Sequence, residues 1–293
     1  MIPVQASLCI VCEAPLPRRI TVRLFEAYLT ECSHCGSWTY FPRATAGQQA
    51  SIHDNSDYFE HPYFELRRST GSRQVRRCRL IFAQIGRALN LALLRGKRVL
   101  DVGCDTGVFL STAAAEFGIV PVGVDVAAIA IEAARRSGIE AYHTTIEEAP
   151  ESLTEFTAIT AIDLIEHVSD PKGFLREVFR RLRPGGVVYL ETPNIRSAVY
   201  SAARMLSYVF RGRKSNILER VFPPQHIQYF TRNGLAGLAR ECSFEVAWLG
   251  TRALAWDDIA ASAAVCAGMA VLQQADRLIG SRILLCTVLR RPV

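Results

Sequence analysis

Two cysteine pairs near the start of the chain, Cys9-Ile-Val-Cys12 and Cys32-Ser-His-Cys35, are separated by 19 residues. Each CxxC turn can aim two thiolates at one point, and two such turns complete a tetrahedral site. Four thiolates suit Zn²⁺, and a closed site of this kind is structural rather than catalytic. Paired spacing argues against four ordinary buried cysteines. His34, inside the second turn, is expected to face solvent rather than add a fifth ligand.

A second constellation runs from Val99 to Gly107, VLDVGCDTG. Its apolar start reads as a strand, its glycines as a tight turn, and the residues after it as a helix. Gly103 and Gly107 let backbone approach a ligand closely without steric penalty, with Cys104 in the turn between them. Asp101 stands near the strand's end, where a carboxylate can meet a cationic amine. The next strand ends at Asp125-Val126, where an acid is placed to accept hydrogen bonds from two ribose hydroxyls. A third group, Asp163-Leu-Ile-Glu166-His167, ends another strand, at the edge where open α/β sheets bind ligands. His167 is the best candidate for a general base, because histidine ordinarily titrates near neutrality. The alternative is that Glu166 and His167 only cap a loop and orient the next helix.

These groups need a scaffold. Arg73–Leu94 carries Val75, Cys78, Ile81, Phe82, Ile85 and Leu89 at helical spacing. Strands are expected at Arg98–Val102, Ile119–Val124, Ile139–Tyr142, Thr157–Leu164 and Val187–Glu191. Helices are expected at Gly107–Phe117, Ala127–Ser137 and Lys172–Leu182. Strands alternating with helices imply βαβ units and a parallel sheet, and the near-continuous apolar runs VVYLE and AITAID suit strands covered on both faces. The expected fold is a doubly wound α/β domain over residues 72–293, after a small cysteine module at 1–45. Residues 46–71 read as a linker or lid whose Tyr58, Phe59, Tyr63 and Phe64 suit sugar-ring or hydrophobic contacts. Phe244–Leu249 and Arg282–Leu289 read as antiparallel edge strands, and Ile259–Leu272 as a buried helix.

Through VLDVGCDTG, GVDV, AITAIDLIEHVSDP, RRLRPGGVVYLETPN and QHIQYFT, the chain resembles the class I S-adenosylmethionine-dependent methyltransferases over most of residues 72–250. The competing NAD-type reading expects GxGxxG, which Gly103 and Gly107 do not supply. The resemblance implies a Rossmann-like, mostly parallel sheet with an antiparallel strand near the C-terminus. It implies that Asp101, Gly103 and Gly107 hold the amino-acid end of S-adenosylmethionine and Asp125 its ribose. Cys104, Val126, Thr145 and Asp163 complete the candidate cofactor set. Two positions depart from the family. Asp105 replaces the usual central glycine of the turn, and His143-Thr144-Thr145 stands where an acid commonly faces the adenine amine. The remaining motifs favour an enzyme over a non-catalytic cofactor-binding scaffold.

Asp163–His167 is similar to the E-x-x-E-H motif of ubiquinone-pathway O-methyltransferases and small-RNA 2′-O-methyltransferases, which implies a site for a divalent cation such as Mg²⁺ at Asp163, Glu166 and His167. Residues 195–230 read as an insertion covering the acceptor, its helical part basic and amphipathic; a membrane-surface helix is the alternative. The segment Pro223–Phe230 resembles the family's P-x-H-x-x-x-F, so His226 and Tyr229 are expected to face the acceptor. A four-cysteine ribbon ahead of this domain resembles deoxysugar C-methyltransferases and ribosomal-RNA guanine methyltransferases. The IDLIEHVSDP motif favours a small-molecule or glycan-linked acceptor over RNA. The basic run Arg67–Arg79 could bind phosphate of either kind.

The formal charge of +6 suits a mildly basic enzyme better than a dedicated nucleic-acid binder. Met1–Ile10 lacks a basic n-region and apolar run, and no window reaches membrane-spanning length, so cytoplasmic residence is expected. The oligomeric state is left open.

Overall fold

The computed structural model describes residues 7–43, 71–254 and 263–293, with side chains from 267 in the last stretch. The aromatic residues 58–64 of the linker, the start of the basic run at 67–70, and residues 255–262 lie outside the described residues. The strands are β1 Val22–Arg23, β2 Tyr28–Glu31, β3 Trp38–Phe41, β4 Arg98–Val102, β5 Val120–Asp125, β6 Glu140–His143, β7 Phe156–Ile162, β8 Leu182–Pro193, β9 Gln228–Tyr229, β10 Glu245–Arg252 and β11 Leu284–Arg290. The helices are α1 Ser72–Ile85, α2 Val108–Phe117, α3 Ala128–Arg136, α4 Pro171–Arg181, α5 Ala198–Phe210, α6 Asn216–Val221, α7 Arg232–Glu241 and α8 Ala263–Ile279.

The large sheet has the order β10-β11-β8-β7-β4-β5-β6. Its five strands from β6 to β8 are parallel. Strand β11 enters antiparallel between β8 and β10. Both expected C-terminal strands pair antiparallel; β10 lies at this edge of the sheet and β11 inside it. The sequence carries the reason. LLCTVLR is buried along all but its last residue, as a strand covered on both faces must be, whereas β10 is half-exposed along most of its length.

Two helices also differ from expectation. Helix α1 stops at Ile85, with Gly86 as its cap; the chain then turns, and Asn90 caps a short 3-10 turn at Leu91–Leu94 by accepting from Ala92 N. Of the apolar run Ile259–Leu272, expected as a buried helix, residues 259–262 and the side chains up to 266 lie outside the described residues; in the described part of helix α8, Val271 is 71% exposed and, beyond the run, Leu278 90%. The helix packs against α5 through a face that includes buried Gln273 and Asp276, and Asp276 Oδ1 accepts from Ala198 N at 2.6 Å, at the start of α5.

The cysteine region shares its sheet with the rest of the chain. Strands β1, β2 and β3 form an antiparallel ribbon, and β9 extends it by pairing with β3, Trp38 opposite Tyr229 and Thr39 opposite Gln228. Thr231 donates its hydroxyl hydrogen to the Cys35 carbonyl at 2.6 Å. Trp38 stacks on Phe222, which meets Tyr200 and Tyr229 with ring centroids 5.7 and 5.6 Å away. The ribbon is therefore one wall of the region that carries His226.

Candidate functional site: an acid-lined cavity beside two histidines

The turn after β4 is fixed to its neighbour strand, since Gly103 N and Cys104 N both donate to the Val124 carbonyl, at 2.9 and 3.1 Å. Gly103 and Gly107 take φ of 76 and 75° and Asp105 takes 48°, the left-handed region that costs a side chain energy unless, like Asp, it is short and polar. Cys104 turns its sulfur inward beneath β5, where a β-carbon on Gly123 would lie 2.5 Å from Sγ. Gly107 lies under the turn rather than in the cavity; a β-carbon there would come within 3.1 Å of Ile139 and 3.2 Å of Ala134. Its smallness serves the packing of α2 against α3.

Asp125 accepts from Asp105 N and from Ala127 N, both at 2.9 Å, one on each carboxylate oxygen. Burial raises its pKa above the ordinary carboxylate value, opposed by those two backbone donors. Asp101 is buried and accepts from the Thr160 hydroxyl at 2.6 Å. His143, the last residue of β6, places Nε2 2.9 Å from the Val126 carbonyl. The Thr145 hydroxyl caps the following turn by accepting from Glu148 N at 3.3 Å.

Asp101, Gly103, Cys104, Asp125, Val126, Thr145, Asp163 and His167 all line one cavity of about 520 Å³, within the roughly 300–1,000 Å³ of small-molecule sites. Among the described residues its walls carry seven carboxylates, Asp101, Asp105, Asp125, Glu147, Glu148, Asp163 and Asp170, against the guanidinium of Arg77. Such a wall suits a ligand bearing ammonium or sulfonium charge and opposes a pyrophosphate. Glu147 and Glu148, just beyond His143–Thr145, also line the cavity. Sequence reasoning missed them, and it missed Gln74 and Arg77. Gln74 was legible as a polar residue one turn before Cys78 on the apolar face of α1, where it is 3% exposed.

The reaction-centre residues follow β7. Asp163 has φ 52°, and its N–H donates to the Glu191 carbonyl at 2.8 Å. Glu166 is fully buried and accepts from the Thr192 hydroxyl at 2.8 Å. The segment before β9 is laced to this turn. Ile227 N donates to the Glu166 carbonyl and Gln228 Nε2 to the Ile165 carbonyl, each at 3.0 Å. His167 Nδ1 lies 2.9 Å from the Gln225 carbonyl. A carbonyl only accepts, so Nδ1 carries a proton and the lone pair of the neutral ring sits on Nε2. His226 stacks edge-on against His167 at 4.7 Å. Glu166, His167 and His226 offer ligand atoms all within 4.8 Å of one another. The expected Asp163–Glu166–His167 trio is thus rearranged: Asp163 lines the cofactor-sized cavity, and His226 takes its place in the cluster.

The four cysteines converge as expected. Cys9 Sγ and Cys35 Sγ are 3.7 Å apart, and Cys12 Sγ and Cys32 Sγ 3.6 Å. A tetrahedral zinc with Zn–S bonds of about 2.3 Å has S···S edges of about 3.8 Å. The spacing fits that ion and is far too long for a disulfide. The thiol of Cys9 holds Cys35 down at about 5 by hydrogen bonding, against the effect of its burial.

A family model described as a methyltransferase domain matches residues 73–247. The ubiquinone biosynthesis O-methyltransferase of Pseudomonas fluorescens (strain SBW25) is 36% identical over 117 residues, covering 36% of this chain and 49% of that protein. The protein of the same name from Idiomarina loihiensis is 32% identical over 153 residues, 47% of this chain and 60% of that one. The chain spans about half the length of the curated relatives it matches. Among solved structures, Haemonchus contortus phosphoethanolamine N-methyltransferase 2 aligns with a TM-score of 0.59 at 15% identity, covering 87% of this chain and 63% of that one. The geranyl diphosphate C-methyltransferase of Streptomyces coelicolor A3(2) aligns at 0.54 and 16% identity, covering 82% and 85%. These likenesses establish a common fold. A family match over residues 73–247, on a sheet of this order with its single inserted antiparallel strand, leads to one conclusion: the chain belongs to the methyltransferase-domain family.

Proposed function

We propose that the chain transfers the methyl group of S-adenosylmethionine to a hydroxyl of a small-molecule acceptor, free or glycan-linked. The observation that carries this reading is the carboxylate-rich cavity with His167 on its rim. Asp125, its two oxygens already set by backbone donors, would receive the ribose hydroxyls. Gln74 and Arg77 would meet the cofactor's carboxylate, and Asp101 and Asp163 its cationic end. The bound cofactor supplies an electrophilic methyl on a sulfonium; the residues supply position and a proton acceptor. With that methyl in place, His167 Nε2 would accept the proton that the acceptor's hydroxyl gives up. The curated relatives named as O-methyltransferases support an oxygen acceptor, and Zn²⁺ at the four cysteines would hold the ribbon wall.

The Glu166–His167–His226 cluster favours a second reading, a divalent cation at the acceptor side. The Nδ1 of His167 is tied to a carbonyl, as in metal-ligating histidines. Two imidazoles and one carboxylate suit Mn²⁺ or Zn²⁺ better than the Mg²⁺ expected from the sequence, since Mg²⁺ prefers oxygen ligands. Methyl-labelled cofactor incubated with a small-molecule extract separates the readings. If His167 is the base, His167→Ala lowers label transfer by about 10²–10⁴ with cofactor affinity kept, and chelators have no effect. If a cation is used, chelation abolishes transfer and Mn²⁺ restores it. Full transfer by His167→Ala with no chelator effect would contradict both.

A further inference from the structure

The segment between β8 and β9 carries a surface that methyl transfer does not use. Residues 195–222 hold six cations, Arg196, Arg204, Arg211, Arg213, Lys214 and Arg220, against Glu219 alone, a net +5 in a chain of net +6. Arg196 and Arg204 turn back onto Glu31 of the ribbon, at 2.7 and 3.8 Å. The other four are exposed around the turn joining α5 to α6 and in α6, and they form no ion pair among the described residues.

Apolar side chains share that tip. Helix α5 buries Val199, Tyr200, Ala203 and Ser207, as a covering helix should. Its outer face is apolar as well: Met205 is 71% exposed, Tyr208 58% and Val209 74%, and Ile217 at the start of α6 is 57% exposed. Phe25, in the turn between β1 and β2, is 48% exposed, and its neighbours Arg23 and Leu24 lie against the tip at Gly212, whose missing β-carbon would be 3.0 Å from Arg23 Cδ and 3.3 Å from the Leu24 carbonyl. Single exposed apolar residues mean little. A cluster contributed by two elements and rimmed by cations marks an interaction surface.

We propose that this tip docks on an anionic lipid surface. Met205, Val209, Ile217 and Phe25 would enter the interfacial layer, while Arg211, Arg213, Lys214 and Arg220 meet headgroup phosphates. No described helix is long and apolar enough to cross a membrane, so contact would be peripheral. The chemistry favours lipid over the other partners. A two-fold pairing of identical tips brings the same four cations face to face. Single-stranded RNA calls for cations with stacking aromatics, and the most exposed residues here, Val209 and Met205, are aliphatic. The proposal does not depend on the methyl-transfer reading.

Sedimentation of the full chain with phosphatidylcholine vesicles, with and without phosphatidylglycerol, tests it. Binding is expected to the anionic vesicles only and to weaken at high salt. Replacing two cations, Arg213→Glu with Lys214→Glu, should lower partition by at least about thirty-fold, and Val209→Asp should lower it independently. Both variants alter exposed side chains, so melting temperature and cofactor affinity should match wild type and show that folding is intact. Three results would overturn the proposal: wild type left in the supernatant with anionic vesicles at low salt, variants that sediment like wild type, or a tip whose variants abolish self-association or RNA binding while vesicle binding persists.

Discussion

Asp105 holds a left-handed backbone, φ 48°, in the glycine turn, and its amide anchors Asp125 at 2.9 Å. Asp105→Gly should leave the turn intact, since glycine reaches this φ freely while Asp tolerates it. It also removes a charge. Asp125 is raised first by burial and further by the neighbouring Asp105 carboxylate. Ribose hydroxyls donate to the ionised form, so cofactor affinity should be full above the raised pKa and fall as pH drops through it. Without Asp105 that fall should move to lower pH. Calorimetric affinities measured across acid pH check this, and an unmoved midpoint would show that Asp105 does not act on Asp125. At this scale the motif residues were legible, because a strand, a glycine turn and a spaced acid leave a linear signature. Gln74 left only a polar residue on an apolar helix face as its signal; Arg77, Glu147 and Glu148 left none, since they reach the cavity only after α1 and the loop beyond β6 fold against the turn.

At the scale of elements, the inserted strand brings a buried ion pair. Glu191 on β8 is fully buried and meets Arg252 on β10 at 2.5 and 2.9 Å, with the Tyr189 hydroxyl donating at 2.6 Å. Burial alone would raise the Glu191 carboxyl, but the Arg252 guanidinium outweighs it and holds the group at about 2. A depressed carboxylate stabilises the fold above its unfolded pKa of about 4.3, and that contribution is lost as pH falls from there towards 2. Arg252→Met leaves Glu191 buried without its partner and should cost about 3–5 kcal/mol in denaturant unfolding. Pairing it with Glu191→Leu should recover most of the loss; equal destabilisation by the double variant would contradict this account. The ribbon makes a second element-scale prediction. Sequence reading separates residues 1–45 as a module, yet β3 pairs with β9 two residues beyond His226. Cys32→Ser should expose residues 195–230 to limited proteolysis while cofactor affinity holds. Proteolysis confined to the ribbon would mean that the two regions are uncoupled. The β3–β9 pairing was illegible because β9 has only two residues, too short for any alternation to register.

Across the whole molecule, the alternation of strands and helices from Arg98 to Glu191 was legible, because each element carries its own period and its own turn residues. Arg282–Leu289 was legible as an antiparallel strand but not its place inside the sheet, although LLCTVLR is apolar at five of its seven positions and buried at six. A chain of net charge +6 nevertheless lines the cavity beside β4 with carboxylates among its described residues, which would favour a cationic methyl donor over a dinucleotide. In the proposed function this cavity binds S-adenosylmethionine through Asp125. Isothermal titration calorimetry of the full chain tests it most directly. The account predicts saturable binding of S-adenosylmethionine, no binding of NAD, and Asp125→Ala weaker by about 1–3 kcal/mol, the cost of losing the ribose partner. Equal affinity for the two cofactors, or an Asp125→Ala variant that binds S-adenosylmethionine as tightly as wild type, would contradict it.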